Sequence, residues 1–495
     1  MSENYWYTET KNQLIFCGFD NSSIDELSDK VDINRVLLTS GNEVKNLGIH
    51  RYKGKLYSSN FVGITRLKDI NGNNYMTELG QEVILKIEPR FNVSLTDMLN
   101  EIRNDEEFER YLSPQTIGFN SKVEDLEDLD SNEIFHFYQS ESPIYLKDKN
   151  SNQSSIITAM VYITLLKELC RRPLMGKMLS KEDNVVGKVR GKILFNKNIQ
   201  HNITKGRTDK IYCSYLEYSQ DIIENQILKM AFLRAKRFYY DYFKNIDSTR
   251  SKYNKMINQC EQSLKHISNI KIQNTKQVDF IKVTGCYAHY KPVLMMAKMV
   301  LSEIGIGSSG EIKTSQFIVP YAISMERLFE VYVRSYLKKC GILNFDTTET
   351  VGLKLEAYDS KYPVLREKDK STAMYIGGTI KPDIIIRDLS TNKITILDVK
   401  YKDFSNKRNA RQDRLQLLAY SMMFNCSHVG LIFPSFNSSE SFYFKPNNIE
   451  RLDGHSVLYH QFQIGTSRED LEIISLDDNS RQTIKRYFEN LNIDK

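Results

Sequence analysis

The chain has 495 residues, of which 41% are hydrophobic and 26% are charged. This composition is typical of a folded globular protein and excludes a disordered chain, which needs fewer apolar residues and a larger net charge. The formal charge of +6 and the pI of about 8.6 permit nucleic acid as a partner without requiring it. The length predicts about three domains.

Cysteine usage and hydropathy indicate the compartment. The seven cysteines are spread singly and form no CxxC pair, which predicts a reducing environment without disulfides. Residues 1–13 are polar and lack the apolar core of a signal peptide, and the apolar window at 156–166 is too short to span a membrane. We therefore expect a cytoplasmic protein with no membrane partner.

Residues 1–150 are expected to form a β-rich domain. Segments 56–67 and 82–91 are rich in strand-forming residues, and INGNN at 70–74 is typical of a turn between them. A helix is predicted to follow over 94–102. This region carries no catalytic constellation of its own, so we interpret it as a docking element.

Residues 151–315 are expected to form a mainly helical domain, with helices over 155–180 and 219–270. Between residues 167 and 210, twelve Lys and Arg stand against four Asp and Glu. Contacts with a phosphate backbone need only positive charge at suitable spacing, so we interpret this basic stretch as a DNA-facing surface. A solvated face is the alternative. The side chains assigned to DNA binding are Arg190, Lys192, Lys197 and Arg207.

Nucleotide-binding motifs do not assign a function to this chain. No GxxxxGK[ST] segment occurs, so we expect no GTP or ATP hydrolysis through a P-loop of its own. The GIGSSG segment at 305–310 follows a predicted helix and precedes a predicted strand, the reverse of a dinucleotide site, and is interpreted as a loop. No base-reading module such as a helix-turn-helix is recognisable, so target choice is expected to be delegated to a partner.

Residues 316–495 show the element order of an α/β nuclease domain. The predicted elements are a helix over 322–341, a strand over 377–388, a turn at 389–393, a strand over 394–404, a helix over 409–424 and a buried strand over 428–435. The first of these central strands carries Asp383, and the second carries Asp398 and Lys400.

These three residues predict a metal-dependent phosphodiesterase site. Asp383 and Asp398 lie on strands joined by a short turn, so they can meet and bind Mg²⁺, which is commonly held by one or two carboxylates. Asp398 and Lys400 are two apart, on one face of a strand, so the Lys400 ammonium can orient the attacking water, or take its proton if its pKa is lowered. Charged residues inside apolar strands often mark function; an edge-strand ion pair is the alternative.

Three further residues are candidates for the site. Gln416 and Tyr420 are four apart on the following helix and therefore share a face. They can hydrogen-bond the lysine, the water or a phosphate, with a polar contact to the sheet as the alternative. Glu330 on the preceding helix is a further metal-directed carboxylate. We assign Gln416 and Glu330 to catalysis and Tyr420 to DNA binding.

Several of these segments resemble known families. Lys381-Pro382-Asp383, Asp398-Val399-Lys400 and the Gln416, Tyr420 pair resemble the PD-(D/E)xK nuclease superfamily in its RecB-like branch. Other segments resemble the McrC family and follow its order between about 56 and 435: FVGI at 61–64, LKIEPRF at 85–91, GKVRGKI at 187–193 and MERLFE at 325–330.

The McrC resemblance implies a multidomain α+β fold. A β-rich N-terminal domain and a helical middle segment would precede a C-terminal α/β PD-(D/E)xK nuclease domain of the restriction-endonuclease type. It also implies a Mg²⁺-dependent endonuclease subunit of a modification-dependent (5-methylcytosine) restriction system. Its partner would be a hexameric McrB-like AAA+ GTPase that reads methylated DNA and is stimulated by the N-terminal domain.

Two other functions are compatible with the sequence. One is a PD-(D/E)xK nuclease of another defence or repair system, with a different partner or none. The other is a structural adaptor with a vestigial nuclease fold, which the intact Asp383, Asp398 and Lys400 argue against. The segment after about residue 440 has no assignment from the sequence.

Overall fold

The structure is a computed structural model that separates the chain into two compact units. The first unit contains Met1–Lys147, Asn245–Tyr253 and Val319–Lys495, and the second contains Asp148–Lys244 and Asn254–Ile318. The described residues are 4–40, 43–91, 95–102, 105, 115–117, 134–138, 144–146, 151–243, 252–269, 283, 285–306, 312–314, 317–339, 342–344, 353–357, 361–363, 379–402, 404, 410–434, 442–450 and 456–464.

The N-terminal part of the first unit is rich in strands, as the sequence predicts. The predicted strands, the turn at 70–74 and the helix after it are all present. The elements, in chain order, are β1 Tyr5–Thr10, β2 Gln13–Phe19, β3 His50–Tyr52, β4 Lys55–Tyr57, β5 Phe61–Arg66, β6 Glu82–Glu88, α1 Leu95–Ile102, β7 Gln115–Ile117, β8 Phe135–Tyr138 and β9 Ile144–Tyr145.

The second unit combines helices with a small sheet. Its elements are α2 Ser151–Cys170, β10 Lys177–Val186, β11 Lys192–Ile193, α3 Phe195–His201, β12 Lys210–Ser219, α4 Ile223–Tyr242, α5 Lys252–Ser263, α6 Tyr290–Glu303, β13 Ile304–Ile306, β14 Ile312–Thr314 and β15 Phe317–Ile318. Helices α2, α4 and α6 pack against one another. In the part of the chain that the structure describes, no helix is both long and apolar enough to cross a membrane.

The predicted helix over 155–180 is wrong in its second half. Helix α2 ends at Cys170, and all ten residues of β10 pair antiparallel with β12. Pro173 explains the end of the helix, because its ring disfavours helical backbone before it and it has no N–H to donate. The basic stretch therefore lies mostly on a strand pair, the connections around it and the short helix α3.

The described C-terminal part of the first unit contains two helices of 15 residues among mixed strands. Its elements are β16 Tyr321–Ser324, α7 Met325–Lys339, β17 Leu343–Asn344, β18 Leu353–Leu355, β19 Tyr362–Pro363, β20 Thr379–Ile380, β21 Ile384–Asp388, β22 Ile394–Val399, α8 Ala410–Phe424, β23 His428–Pro434, β24 Phe442–Glu450 and β25 Ser456–Ile464. The predicted strand over 377–388 is divided, and Asp383 directly precedes β21. The predicted strand over 394–404 ends at Val399.

The first sheet joins residues from both ends of the chain. Among the described residues its strand order is β1-β2-β6-β5-β16-β8-β7, so β16 lies between two N-terminal strands. Gly63 of β5 pairs with Ala322, and a Cβ atom on Gly63 would lie 2.1 Å from the Tyr321 carbonyl oxygen. The glycine of the FVGI segment is therefore required by the close approach of β16. A domain boundary at residue 316 would divide this sheet, because β16 lies after that residue and its neighbours β5 and β8 lie before it.

The second large sheet carries the predicted nuclease elements. Its order within the described residues is β17-β18-β21-β22-β23-β25-β24. Strands β21 and β22 form an antiparallel hairpin, and α8 connects β22 to the parallel strand β23 while packing on both. Apolar side chains of α8, β22 and β23, including Leu417, Ile396 and Leu431, form the core. The segment after 440, unassigned from the sequence, supplies β24 and β25 to this sheet.

Candidate active site

The β21–β22 hairpin brings the two predicted carboxylates together. Ile384 pairs with Leu397 in the antiparallel register, so the next pair outward consists of Asp383 and Asp398. The Asp383 Oδ2 atom accepts a hydrogen bond of 2.8 Å from the backbone N–H of Val399. The sequence prediction that Asp383 and Asp398 meet is thus consistent with the register, even though Asp383 precedes the strand instead of lying within it.

Lys400 completes this cluster. Its Nζ atom lies 2.7 Å from Asp398 Oδ2, and the Asp398 side chain is only 1% exposed. The Lys400 backbone N–H donates to the Ile432 carbonyl at 2.8 Å, which extends the contact with β23 one residue past the end of β22. The two-residue spacing therefore places the ammonium on the carboxylate.

Electrostatics distinguish the carboxylates from the lysine. Burial, followed by the charges of Glu330 and Asp398, raises the pKa of Asp383 well above its ordinary value. Burial also raises the pKa of Asp398, against the opposing effect of Lys400. Burial alone would lower the pKa of Lys400, but Asp398 and Asp383 outweigh it and raise that pKa above its ordinary value. Lys400 is therefore an ammonium ion at neutral pH.

Glu330 on α7 reaches the same cluster. Its carboxylate is buried, and its charge contributes to the raised pKa of Asp383 after burial itself. Glu330 Oε2 lies 2.5 Å from the Arg327 guanidinium, while Oε1 has no hydrogen-bond partner among the described residues. The structure thus places this predicted residue within electrostatic reach of the hairpin.

Gln416 and Tyr420 share one face of α8 and contact each other. The Gln416 side-chain amide donates to the Tyr420 hydroxyl at 2.6 Å. Burial and then the Asp398 charge raise the pKa of Tyr420 to about 12. Because Tyr420 is only 4% exposed and packs in the core of the sheet, it has little surface to offer DNA. Its position favours support of the carboxylates over the DNA contact expected from the sequence.

Asp413 is a buried carboxylate that the sequence reasoning missed. It lies in the first turn of α8, where Oδ1 is 3.0 Å from Lys402 Nζ and Oδ2 has no hydrogen-bond partner among the described residues. The pKa of Asp398, raised mainly by burial, is raised further by the Asp413 charge. A signal for this residue was present, since Asp413 stands three residues before Gln416 and so shares its helix face.

The donor set suits a hard divalent cation. Asp398 Oδ1 is buried with no hydrogen-bond partner among the described residues, and carboxylates crowded in this way need positive charge. The described residues contain no ready group of three or more His, Cys, Asp or Glu side chains arranged to hold a metal. Mg²⁺ needs no such group, because it commonly binds one or two carboxylates and completes its shell with water and phosphate.

The basic residues assigned to DNA lie in the second unit, on and beside its three-stranded sheet. The Arg190 guanidinium lies 4.0 Å from the ring centroid of Tyr215 and 3.4 Å from Glu217 Oε1. Lys197 forms an ion pair with Glu182. Lys192 and Arg207 are exposed. Part of the positive charge is thus offset locally, which lowers the net charge that this surface presents.

Comparison with known proteins gives a family match over most of the chain. The family model described as McrBC 5-methylcytosine restriction system component matches residues 94–434. Among curated proteins, no match was found.

Two solved structures from Thermococcus gammatolerans are similar to the chain. One, described as a half-complex from a tetradecameric assembly of McrB AAA+ hexamers with bound McrC, is 14% identical and covers 96% of this chain and 100% of that chain, with a TM-score of 0.38. The other, the McrBC complex, is 13% identical and covers 67% of this chain and 89% of that chain, with a TM-score of 0.26. Likeness at this level does not extend to details of the site.

Proposed function

Since the chain belongs to the family of McrBC 5-methylcytosine restriction system components, we propose that it is the DNA-cleaving, McrC-type subunit of such a system. The observation that carries this proposal is the buried cluster of Asp383, Asp398 and Lys400 at one end of the β21–β22 hairpin. Two carboxylates beside an ammonium are the groups that metal-dependent phosphodiester hydrolysis requires. They also match the PD-(D/E)xK pattern residue by residue.

In this proposal Asp383 and Asp398 hold Mg²⁺, with Glu330 as a further carboxylate nearby. The ion supplies positive charge to the phosphate and acidifies a water molecule. Lys400 holds its ammonium 2.7 Å from Asp398, where it orients the water and stabilises the negative charge on the phosphate. Of the two roles left open by the sequence, this one suits an ammonium paired with Asp398, because orienting a water does not require the lysine to lose its proton first.

The residues of α8 maintain this geometry. The Gln416 amide donates to the Tyr420 hydroxyl at 2.6 Å, and the tyrosine is buried. Hydrogen-bonded side chains packed behind a site restrict the movement of the groups in front of them. We therefore place Gln416 and Tyr420 as supports of the carboxylate–lysine cluster.

We further propose that the chain works with a hexameric McrB-like AAA+ GTPase. The sequence has no P-loop of its own, so GTP hydrolysis and the reading of methylated DNA would belong to the partner. The McrC of Thermococcus gammatolerans is described bound to McrB AAA+ hexamers; the partner is transferred here on family membership and not on structural likeness. The isolated chain is then expected to show little nuclease activity and no GTP hydrolysis.

The test is DNA cleavage by the full-length chain with an Asp398→Asn substitution. The chain is purified with an McrB-type GTPase and assayed on methylated and unmethylated DNA with Mg²⁺ and GTP. The amide is isosteric with the carboxylate but a poor magnesium ligand. Cleavage is therefore expected to fall at least about 100-fold, more than for the loss of a group that only supports a ligand, while stimulation of the GTPase is retained.

Asp388→Asn is the matched control. Asp388 is also buried, at the other end of the same hairpin, but accepts hydrogen bonds from Ser390 and Thr391 and has no place in the cluster. Its substitution is expected to lower stability and spare the chemistry. If the Asp398→Asn variant cleaved DNA as fast as the wild type, the site assignment would be wrong. Cleavage by the wild-type chain without any GTPase would instead favour a nuclease of another defence or repair system.

A further inference from the structure

The LKIEPRF segment at 85–91 has no role in the proposed chemistry, yet its last two residues lie against the nuclease hairpin. Strand β6 ends at Glu88, and Arg90 and Phe91 follow it in the N-terminal part of the first unit. Both contact Tyr401, the residue directly after Lys400. The contact joins residues separated by 311 positions in the sequence.

Arg90 fixes the backbone on both sides of this contact. Its Nη2 atom donates to the Tyr401 carbonyl at 3.0 Å, and Nη1 donates to the Asn21 carbonyl at 3.1 Å. Its backbone N–H donates to Asp20 Oδ1 at 2.6 Å. One guanidinium thus ties Asn21, just past the end of β2, to the residue after the catalytic lysine through its planar, multiply donating geometry.

Aromatic packing surrounds the same point. The Arg90 guanidinium lies 4.5 Å from the Phe91 ring centroid, and the Phe91 and Tyr401 rings meet edge to face at 4.8 Å. Phe329 of α7, one residue before Glu330, lies 5.9 Å from the Tyr401 ring. The side chain of Tyr401 is buried, so its ring and its carbonyl are both held.

The position of Lys400 depends on how this stretch is held. Strand β22 ends at Val399, and the Lys400 N–H is bonded to the Ile432 carbonyl. One residue later, the Tyr401 carbonyl is bonded by Arg90. Catalytic groups displaced by about 1 Å commonly lose about 100-fold in rate, so a fixed backbone on both sides of the lysine has a chemical consequence.

We propose that Arg90 is a positioning residue for Lys400, which makes the N-terminal sheet a structural part of the nuclease centre. The catalytic half of this inference rests on the proposed function. The same sheet belongs to the region proposed to dock on the GTPase ring, so Arg90 connects that region to the lysine.

The first test measures backbone protection and needs no activity. Hydrogen–deuterium exchange is followed in peptides covering residues 394–402 for the full-length wild type, Arg90→Ala and Arg90→Lys. Loss of one hydrogen bond of ordinary strength is expected to raise exchange at the end of β22 about tenfold in Arg90→Ala. The exchange rate in Arg90→Lys is expected to lie between those of the wild type and Arg90→Ala, because an ammonium can donate to the Tyr401 carbonyl without also reaching Asn21.

The matched control is Arg35→Ala. Arg35 lies in the same N-terminal region with its guanidinium 5.4 Å from the Tyr75 ring centroid, and no contact joins it to the nuclease hairpin among those described. The Arg35→Ala substitution removes an arginine–aromatic contact like that of Arg90 with Phe91, but away from the nuclease hairpin. Exchange in 394–402 is expected to be unchanged in this variant. The proposal is wrong if residues 394–402 exchange equally fast in the wild type and in Arg90→Ala. It is also wrong if Arg35→Ala raises their exchange as much as Arg90→Ala does.

The second test separates positioning from general stability. In the complex with the GTPase, kcat for DNA cleavage by Arg90→Ala is expected to fall about 10- to 100-fold, with KM for DNA and GTPase stimulation unchanged and with partial recovery in Arg90→Lys. If Arg90→Ala raises hydrogen–deuterium exchange in residues 394–402 but leaves kcat unchanged, Arg90 is not a positioning residue. If the wild type does not cut DNA, the proposed function fails, and the exchange result alone decides whether Arg90 holds the strand end.

Discussion

Lys400 and Asp20 show two outcomes of burying a charged group in the first unit. Lys400 keeps its charge because Asp398 and Asp383 offset the cost of burial, so its pKa is raised. For Asp20, burial exceeds the opposing effects of Arg90, and its pKa rises to about 7. A carboxyl with this pKa changes its protonation in the physiological range, and its ionisation costs stability because the unfolded chain ionises near pH 4.

Asp20→Asn is expected to remove a pH dependence of stability. Because the folded-state pKa lies above the unfolded value, the stabilising contribution of protonated Asp20 is complete below about pH 4 and is lost as pH rises to about 7. The full loss is on the order of 4 kcal/mol. The difference in unfolding free energy between Asp20→Asn and wild type should therefore grow in favour of the variant from pH 5 to pH 8. Urea titrations followed by Trp6, the single tryptophan, measure it in this sheet.

Asp25→Asn provides the comparison. The hydrogen bond from the Leu56 backbone lowers the pKa of this largely exposed carboxyl. The stability it contributes is present above about pH 4 and constant at higher pH. A constant difference between Asp25→Asn and wild type from pH 5 to pH 8 is expected. If Asp20→Asn gives an equally constant difference, Asp20 is ionised throughout this range.

At the scale of elements, the β10–β12 strand pair determines how the basic stretch is presented. Its ten-residue antiparallel register places Lys181 opposite Tyr215, and Glu217 bonds both Lys181 and Arg190. Because the register of the strand pair is fixed, the spacing of the charges on its exposed surface is fixed as well. The proposal that it follows a DNA backbone therefore concerns a defined element of the second unit.

Charge reversal at Arg190 and Lys192 is expected to weaken DNA binding equally on all sequences. Contacts with phosphates carry no base information, and each one lost should flatten the dependence of log affinity on log salt by about one unit. Fluorescence anisotropy with several unrelated duplexes over a range of salt concentrations measures both quantities. The full-length chain is used, so that the three-stranded sheet keeps its surroundings.

Glu217→Gln is the control with the opposite sign. It removes the acid that pairs with Arg190 and Lys181, so it should strengthen DNA binding if this surface contacts phosphate. Unchanged affinity and salt dependence in both variants would mean that the basic stretch is a solvated face or binds protein.

At the scale of the molecule, the first unit is assembled from both ends of the chain. Strand β16 lies between β5 and β8, and the Lys338 ammonium at the end of α7 lies 2.8 Å from Asp105 Oδ2. A nuclease region that folds without the N-terminal residues is not consistent with these contacts.

A fragment of residues 151–495 is expected to lose the folded nuclease region and DNA cleavage, while its second unit still unfolds cooperatively. The deletion removes both neighbours of β16, the Arg90 contact with Tyr401 and the helix α1 that packs on α7. Apolar surface left without its partners lowers stability by roughly 25 cal/mol per Å² exposed. Thermal unfolding followed by near-UV circular dichroism, together with the cleavage assay, measures the loss.

The fragment 148–318, which spans the second unit, is the control. Its helices α2, α4 and α6 pack on one another, so it is expected to unfold cooperatively with a helical spectrum. A fragment of residues 151–495 that unfolds at the temperature of the whole chain and cuts DNA would show that the nuclease region is independent after all.

The sequence by itself determined the local part of the candidate site. Asp383, Asp398 and Lys400 lie on one hairpin, and Gln416 and Tyr420 lie one helical turn apart, so strand and helix periodicity suffice to group them. The N-terminal strands and most helices were predictable for the same reason, since their patterns are contained in short windows. Periodicity gave the wrong element before β10, where a proline interrupts the pattern, and at residues 322–324, which belong to strand β16 and not to the predicted helix.

Tertiary structure decided which distant residues complete the site. The insertion of β16 into the first sheet, the charge of Glu330 acting on Asp383 and the bond from Arg90 to Tyr401 all join segments that are far apart in the chain. No local pattern specifies such contacts, because they depend on which buried surfaces pack together once the elements have formed. The periodicity of the chain therefore places the charged groups on one hairpin, and packing between distant segments fixes their positions.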